Sequence, residues 1–261
     1  MADKMPITGT VLRTEQLTRN MIRVVLGGAG LRAFVPVSAT DQYIKLLFPT
    51  SDAERPRRRT YTVRRWDSEA VELWIDVAVH GDRGLAAPWA LRAAPGDAIQ
   101  FLGPGGGYFP DPEADWHLLA GDESALPAIA AALEAMPAEA IAMVFVEVDG
   151  PEDETPLRTN AHTAITWVHR RDLPVGDALV KAVRSQEVLP GDVQVFVHGE
   201  AGFVKELRGY LRVERQVERT RLSVSGYWRQ GKDDEGWRAS KRAWNEAVEA
   251  EQEQRLPQAS R

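Results

Sequence analysis

Apolar and polar positions alternate at nearly every step through residues 71–80. Val71, Leu73, Ile75, Val77 and Val79 fall on one side of an extended chain, and Glu72, Trp74, Asp76 and His80 on the other. A period of two is the mark of a strand with one buried face. Similar short runs, rich in β-branched and aromatic residues, occupy 7–13, 21–26, 43–48, 59–65 and 97–102. Clusters of Gly, Pro, Asp and Ser separate them. Such a series predicts a small antiparallel β-barrel, with Trp74, Asp76 and His80 on the face away from its core.

The pattern changes near Gly103-Pro104-Gly105-Gly106-Gly107. No Lys-Ser or Lys-Thr follows this glycine run, so it is not a P-loop, and it reads as a boundary between domains. Gly27-Gly28-Ala29-Gly30 reads as a turn, since no long helical pattern follows. Beyond the boundary, strand and helix patterns alternate. Residues 116–120, 141–148, 164–169, 193–198 and 222–225 predict strands; 125–136, 175–187, 202–213 and 233–253 predict helices, the last anchored by Trp237 and Trp244. This rhythm implies a parallel sheet with helices on both faces. The expected organisation is therefore two domains, a barrel over 1–112 and an α/β domain with a C-terminal helix over 113–261.

Composition narrows the chemistry. With 261 residues, 44% hydrophobic and 27% charged, the chain can bury one large core or two smaller ones. A formal charge of -6 argues against general nucleic-acid binding. There is no cysteine, which excludes disulfides, thiolate catalysis, cysteine-ligated zinc and cysteine-bound iron–sulfur clusters. Residues 1–6 lack an apolar segment of signal-peptide length, and nowhere do eighteen apolar residues run together. The expectation is a cytoplasmic protein with no membrane span.

The richest chemistry lies in Arg59-Thr60-Tyr61-Thr62-Val63-Arg64, followed by His80-Gly81-Asp82-Arg83-Gly84. A guanidinium can chelate pyrophosphate oxygens bidentately, a tyrosine can cover an isoalloxazine ring, and a threonine can bond a ring nitrogen. The order Arg-x-Tyr-Thr thus points to a flavin dinucleotide. A second candidate is Gly121-Asp122-Glu123-Ser124-Ala125, between a strand and a helix, where free N–H groups and the helix dipole favour phosphate. It lacks Gly-x-Gly-x-x-Gly, and Asp122 and Glu123 would repel a diphosphate unless they turn away as caps. His198-Gly199-Glu200 ends another strand in the same way. Glu147 and Asp149 stand where a nucleotide ribose would be read, with Arg170 and Arg171 nearby; NADH and NADPH both stay open.

Together these segments resemble the siderophore-interacting protein family, flavin-dependent ferric-siderophore reductases of the ferredoxin-reductase superfamily. The likeness runs from Arg59-Thr60-Tyr61-Thr62 through Asp76-Val77-Ala78-Val79-His80-Gly81, Ala120-Gly121-Asp122-Glu123-Ser124-Ala125 and Val197-His198-Gly199-Glu200 to Gly226-Tyr227-Trp228-Arg229-Gln230-Gly231. The resemblance implies an FAD-binding barrel followed by an NAD(P)H-binding domain. It would give Arg59 the pyrophosphate, Tyr61 the isoalloxazine, Thr62 the reactive ring edge and His80 with Gly81 the dinucleotide turn, with Thr60 and Asp76 also at the cofactor. Gly84, Ala86, Ala87 and Trp89 would bring a helix start to the phosphates, while Asp122, Ser124, Ala125 and Glu200 would serve the nicotinamide nucleotide. Family members usually read Gly-Pro-Ala-Ser where this chain has Gly84-Leu85-Ala86-Ala87, so a hydroxyl is missing at Ala87.

The implied substrate is a ferric siderophore, a hard cation in hard oxygen ligands that release it on reduction. Catecholate chelates are anionic, so cations should meet them. Arg229, Lys232, Arg238, Lys241 and Arg242 are the C-terminal candidates and Lys45 the barrel candidate; pairing with Asp233, Asp234, Glu235 and Glu246 is the alternative for the C-terminal set. A monomer suffices for such a reaction. The rival functions are a flavin oxidoreductase with another acceptor and a siderophore-binding protein without catalysis.

Overall fold

The computed structural model describes residues 5–51, 54–79, 84–187 and 189–256. Its chain forms two compact units, one of Met1–Phe109 with Pro127–Ala135 and Glu152–Arg158, the other of Pro110–Leu126, Met136–Pro151 and Thr159–Arg261.

The first unit is built on β1 (Ile7–Thr18), β2 (Met21–Gly27), β3 (Tyr43–Phe48), β4 (Arg57–Asp67), β5 (Glu72–Ala78) and β6 (Ala98–Gly105), with helix α1 (Ala86–Arg92) before β6. The strands close into a barrel in the order β1-β2-β5-β4-β3-β6, every pair antiparallel. Leu73, Ile75 and Val77 are fully buried in its core, as their alternation requires, and meet Val24, Leu26, Ile44, Leu46 and Phe101 there. Ala86 and Ala90 of α1 join the same cluster.

Two strands exceed their apolar pattern. β1 continues to Thr18 because Glu15 and Gln16 pair with Arg23 and Ile22 of β2, so the ladder sets its length rather than hydrophobicity. The glycine run near 103 belongs partly to the barrel, since Gly105 pairs with Tyr43 as the last residue of β6. A Cβ at Gly105 would lie 2.5 Å from the Tyr43 ring, so only glycine fits the crossing.

Next come β7 (Trp116–Asp122), α2 (Leu126–Ala135), β8 (Ile141–Val148), β9 (His162–His169), α3 (Asp177–Ser185), β10 (Val193–Glu200), α4 (Ala201–Gly209), β11 (Leu222–Trp228) and α5 (Asp234–Glu253). The five strands form one parallel sheet in the order β11-β10-β7-β8-β9. Every residue of β7 is buried, as for a parallel strand covered on both faces. β9 lies at the edge and is correspondingly exposed. Residues of α3 and α4, among them Leu179, Val183, Phe203 and Leu207, pack on Leu118, Ala120, Val195 and Val197.

The helix expected over 202–213 changes pitch. α4 ends at Gly209 and a π-helical turn covers Tyr210–Glu214, with the Arg215 N–H donating to the Tyr210 carbonyl at 2.9 Å. Among the described residues no helix is long and apolar enough to cross a membrane.

Candidate functional site

Residues 59–62 lie in the half of β4 that pairs on one side only. Leu46, Lys45, Ile44 and Tyr43 of β3 stand opposite Arg59, Thr60, Tyr61 and Thr62. On the other side β5 joins β4 only from Val63 onward. Among the described residues the β4–β5 ladder does not extend along Arg59–Thr62. Alternation places Arg59 and Tyr61 on the face of Leu46 and Ile44, and Thr60 and Thr62 on the face of Lys45 and Tyr43. A ligand lying along this segment meets both faces, which lets the four residues act together.

Tyr61 is half-buried against the barrel core. Arg59, also half-buried, donates from Nη1 to the Arg58 carbonyl at 3.0 Å. Thr62 is buried and Thr60 exposed, while the Lys45 ammonium lies 5.6 Å from the Tyr43 ring centre. Asp76 follows Ile75, the partner of Val63, on β5. It takes two hydrogen bonds from Arg23, at 2.7 and 2.8 Å, in a nearly buried ion pair. Beside that pair the guanidiniums of Arg13, Arg23 and Arg65 surround Trp74 at 5.0–5.7 Å.

His80 and Gly81 lie outside the described residues. Gly84 takes a left-handed φ of 87° before α1. Ala86 is buried, Ala87 is half-buried against the core, and Trp89 meets Phe48 edge-on at 6.0 Å. No side chain caps the start of α1, whose N-cap position is Leu85. A strand segment laddered on one side, a guanidinium and an uncapped helix start fit an extended anionic dinucleotide.

In the α/β unit the strand order reverses at β7, the topological switch point of such sheets. Three strand ends are tied together there by two carboxylates. Asp122, last in β7, accepts from Ser124 N (2.9 Å) and Ser124 Oγ (2.5 Å) on Oδ1, and from Glu200 N and Trp228 Nε1 (both 2.9 Å) on Oδ2. Burial pushes the Asp122 carboxyl above its ordinary range, and the hydrogen bonds from Ser124, Trp228 and Glu200 oppose that rise. Glu200, last in β10, caps α4 by accepting from the N–H groups of Gly202 and Phe203, and takes Gln230 N at 3.1 Å. Glu123 pairs with Arg170 at 3.0 Å. Both acids that would repel a diphosphate are thus turned inward. Ala125 is fully buried.

Glu147 is not available to a ribose. Its side chain is fully buried, accepts from Gly176 N (2.9 and 3.1 Å) and Leu179 N (3.3 Å), and pairs with Arg170 at 3.4 Å. Burial raises its pKa, opposed first by the Gly176 N–H and then by Arg170. Asp149 stays partly exposed, 3.5 Å from Arg170.

A cavity of about 530 Å³ opens at these strand ends, lined by Pro174, Gly176, Glu200, Gly202, Phe203 and Arg229 among others. It brings Arg229, expected beside the chelate, to Glu200, expected beside the nucleotide. The Arg229 guanidinium also lies 5.9 Å from the Trp244 ring. The remaining C-terminal cations are separated by burial. Lys232 donates to Ser240 Oγ at 2.9 Å. Arg238 and Arg242 are exposed, Arg242 with Glu246 at 3.6 Å, a pair of small energetic weight. Lys241 is half-buried and donates to Ser225 Oγ at 3.2 Å, and burial lowers its pKa.

Lys241 borders a polar cluster. His198, 3% exposed, holds Tyr227 Oη at 2.9 Å through Nδ1 and Ser223 Oγ at 3.0 Å through Nε2, and its ring stacks on Phe196. Burial, helped by the nearby Lys241 charge, pushes the imidazole down to about 3. The signal was the alternation of Ser223, Ser225 and Tyr227, a polar face hidden by reading the strand only to 225.

A closed antiparallel barrel followed by a parallel α/β sheet with its crevice at the switch point is a ferredoxin-reductase-like fold. Comparison with known proteins sharpens this. The chain belongs to the siderophore-interacting protein family: the model "Siderophore-interacting protein" matches residues 114–231, and "Siderophore-interacting FAD-binding domain" matches 10–57 and 50–108. A Mycobacterium tuberculosis protein of uncharacterized function is 46% identical, over 91% of this chain and 95% of the relative. Ferric vibriobactin reductase ViuB of Vibrio cholerae is 34% identical, over 87% and 90%. The crystal structure of a siderophore utilization protein from T. fusca superposes with a TM-score of 0.80 at 34% identity, over 88% and 95%.

Proposed function

We propose that this protein is an FAD-containing ferric-siderophore reductase that draws electrons from NADH or NADPH and frees ferrous iron in the cytoplasm. The observation that carries the reading is the Arg59–Thr62 segment of β4, laddered to β3 but beyond the β4–β5 register, inside the span matched by the family's FAD-binding domain. Kinship with a ferric vibriobactin reductase supports the substrate class.

Flavin chemistry would link a two-electron hydride donor to iron, which accepts one electron at a time. The chain's own residues bind, orient and neutralise. Arg59 holds pyrophosphate oxygens through charge-assisted bonds. Tyr61 would cover the ring, Thr60 and Thr62 would line its edge, and the start of α1 around Gly84, Ala86, Ala87 and Trp89 would meet the phosphates. In the α/β unit, Ser124 and the cavity around Glu200 and Arg229 take the nicotinamide nucleotide, with Asp122 fixing the loop. Lys241, partly desolvated, attracts an anionic chelate more strongly than exposed Arg238, Arg242 or Lys232. Lys45 offers a further cation beside the flavin strand.

Replacing Arg59 by Ala tests the assignment. The variant should purify with much of its FAD lost and rebind added FAD weakly, by absorbance and equilibrium titration. Full occupancy in the variant would remove Arg59 from the flavin site.

A further inference from the structure

Leu222 and Val224 of β11 pack with Val195 and Val197 of β10 in the apolar cluster beneath α3 and α4. Alternation therefore turns Ser223, Ser225 and Tyr227 to the other face of the sheet. Phe196 and His198 stand opposite Ser223 and Ser225 in the β10–β11 ladder. The three hydroxyl residues are half-buried. The nearly buried His198 ring, stacked on Phe196, holds Tyr227 Oη at 2.9 Å and so fixes where the phenol oxygen stands.

Lys241 reaches the same row from α5 and donates to Ser225 Oγ at 3.2 Å. It is half-buried, and among the described residues no carboxylate pairs with it; burial alone acts on its pKa, downward. The arginines similarly withdrawn from water are matched: Arg23 by Asp76, Arg64 by Glu134, Arg170 by Glu123 and Arg212 by Glu253. A desolvated ammonium without a counter-charge is unfavourable. With a formal charge of -6 the chain has acids enough to supply one, yet places only hydroxyls and a neutral imidazole beside this cation. A negative charge brought by a ligand completes the set, and the hydroxyls give its oxygens further hydrogen-bonding partners.

We propose that Ser225 and Tyr227 are substrate-positioning residues which, together with Lys241, take the anionic oxygens of a catecholate-type ferric chelate. The inference rests on the reading of the protein as a ferric-siderophore reductase and adds a selectivity to it. A tris-catecholate complex of a trivalent metal is anionic and a tris-hydroxamate complex is neutral, so the unpaired ammonium favours the first.

The probe is gallium(III) tris-catecholate, which has the charge and shape of the ferric complex but is not reduced, titrated calorimetrically into the full chain as purified. The wild type should bind it saturably. Lys241→Met should weaken binding by about 10-fold or more, and Tyr227→Phe and Ser225→Ala by about 3- to 10-fold each. Gallium(III) tris-acetohydroxamate should bind the wild type at least about 10-fold more weakly than the catecholate. Thermal melts check that each variant is folded. Catecholate binding that is the same in wild type and all three variants overturns the assignment and leaves the reductase reading standing. A loss in Lys241→Met alone removes Ser225 and Tyr227 from the site, and equal affinity for the two gallium complexes overturns the selectivity. A wild type that binds neither complex overturns the inference and the reductase reading together.

Discussion

Replacing Glu147 by Ala should destabilise the α/β unit rather than weaken nucleotide binding. The carboxylate is fully buried and satisfies two backbone N–H groups, Gly176 at 2.9 Å and Leu179 at 3.3 Å, at the start of α3. It also takes one of the contacts of Arg170, which keeps Glu123 at 3.0 Å and Asp149 at 3.5 Å after the change. Two orphaned buried donors at roughly 1–3 kcal/mol each, with some loss at Arg170, give about 3–5 kcal/mol. For a unit of about 150 residues, where each kcal/mol moves the melt by about 2–4 °C, that lowers Tm by roughly 6–20 °C. Glu147→Gln keeps an accepting oxygen and should lose about a third as much. Tryptophan fluorescence and circular dichroism melts measure both, the two probes guarding against separate unfolding of the two units. A Glu147→Ala protein that melts with the wild type but shows a raised KM for the nicotinamide nucleotide would refute the reasoning and return the residue to the ribose.

The buried His198 ring should remain neutral far below the usual imidazole range. Its folded pKa near 3 lies under the ordinary 6.5, so between those values the unfolded chain binds a proton that the folded chain does not. The stability contributed by the neutral ring is whole above pH 6.5 and declines as pH falls through that window; an NMR titration showing protonation above pH 6 would contradict this. Glu200→Ala removes the cap of α4 and should cost about 0.5–2 kcal/mol in urea unfolding, with a rise in nucleotide KM that a purely structural cap would not produce. Changing Arg238 and Lys241 together to Glu should raise KM for an anionic ferric chelate with little effect on flavin reduction. Most of the effect should persist in Lys241→Glu alone, and an unchanged KM would move the acceptor site elsewhere.

The barrel was legible because Leu73, Ile75 and Val77 alternate without interruption and strand burial follows that period. The parallel sheet was legible for a different reason: β8 is apolar at every position but Glu147, and β7 carries the run Leu118-Leu119-Ala120, as strands covered on both faces do. Polar pairing was not. Nothing local in the sequence marks Asp76 as the partner of Arg23, or Glu147 as the cap of α3. Both bonds join residues that are distant along the chain, fifty-three and twenty-nine positions apart. An acid at a strand end reads the same whether it faces a ribose or turns inward. The π turn after α4 escaped because Tyr210 and Leu211 keep an apolar spacing that fits either pitch. The Arg59–Thr62 motif was visible as chemistry, but its setting beyond the β4–β5 ladder required the register of three strands.

Anaerobic stopped-flow absorbance tests the central claim most directly. FAD-loaded protein is reduced with NADH or NADPH and mixed with a ferric catecholate chelate in the presence of a ferrous-specific trap. The account predicts rapid flavin reoxidation matched by trapped ferrous iron, slowed in the Lys241→Glu protein. A flavin that is reduced by the nucleotide yet ignores the chelate, or a chain that takes up no flavin at all, would contradict it.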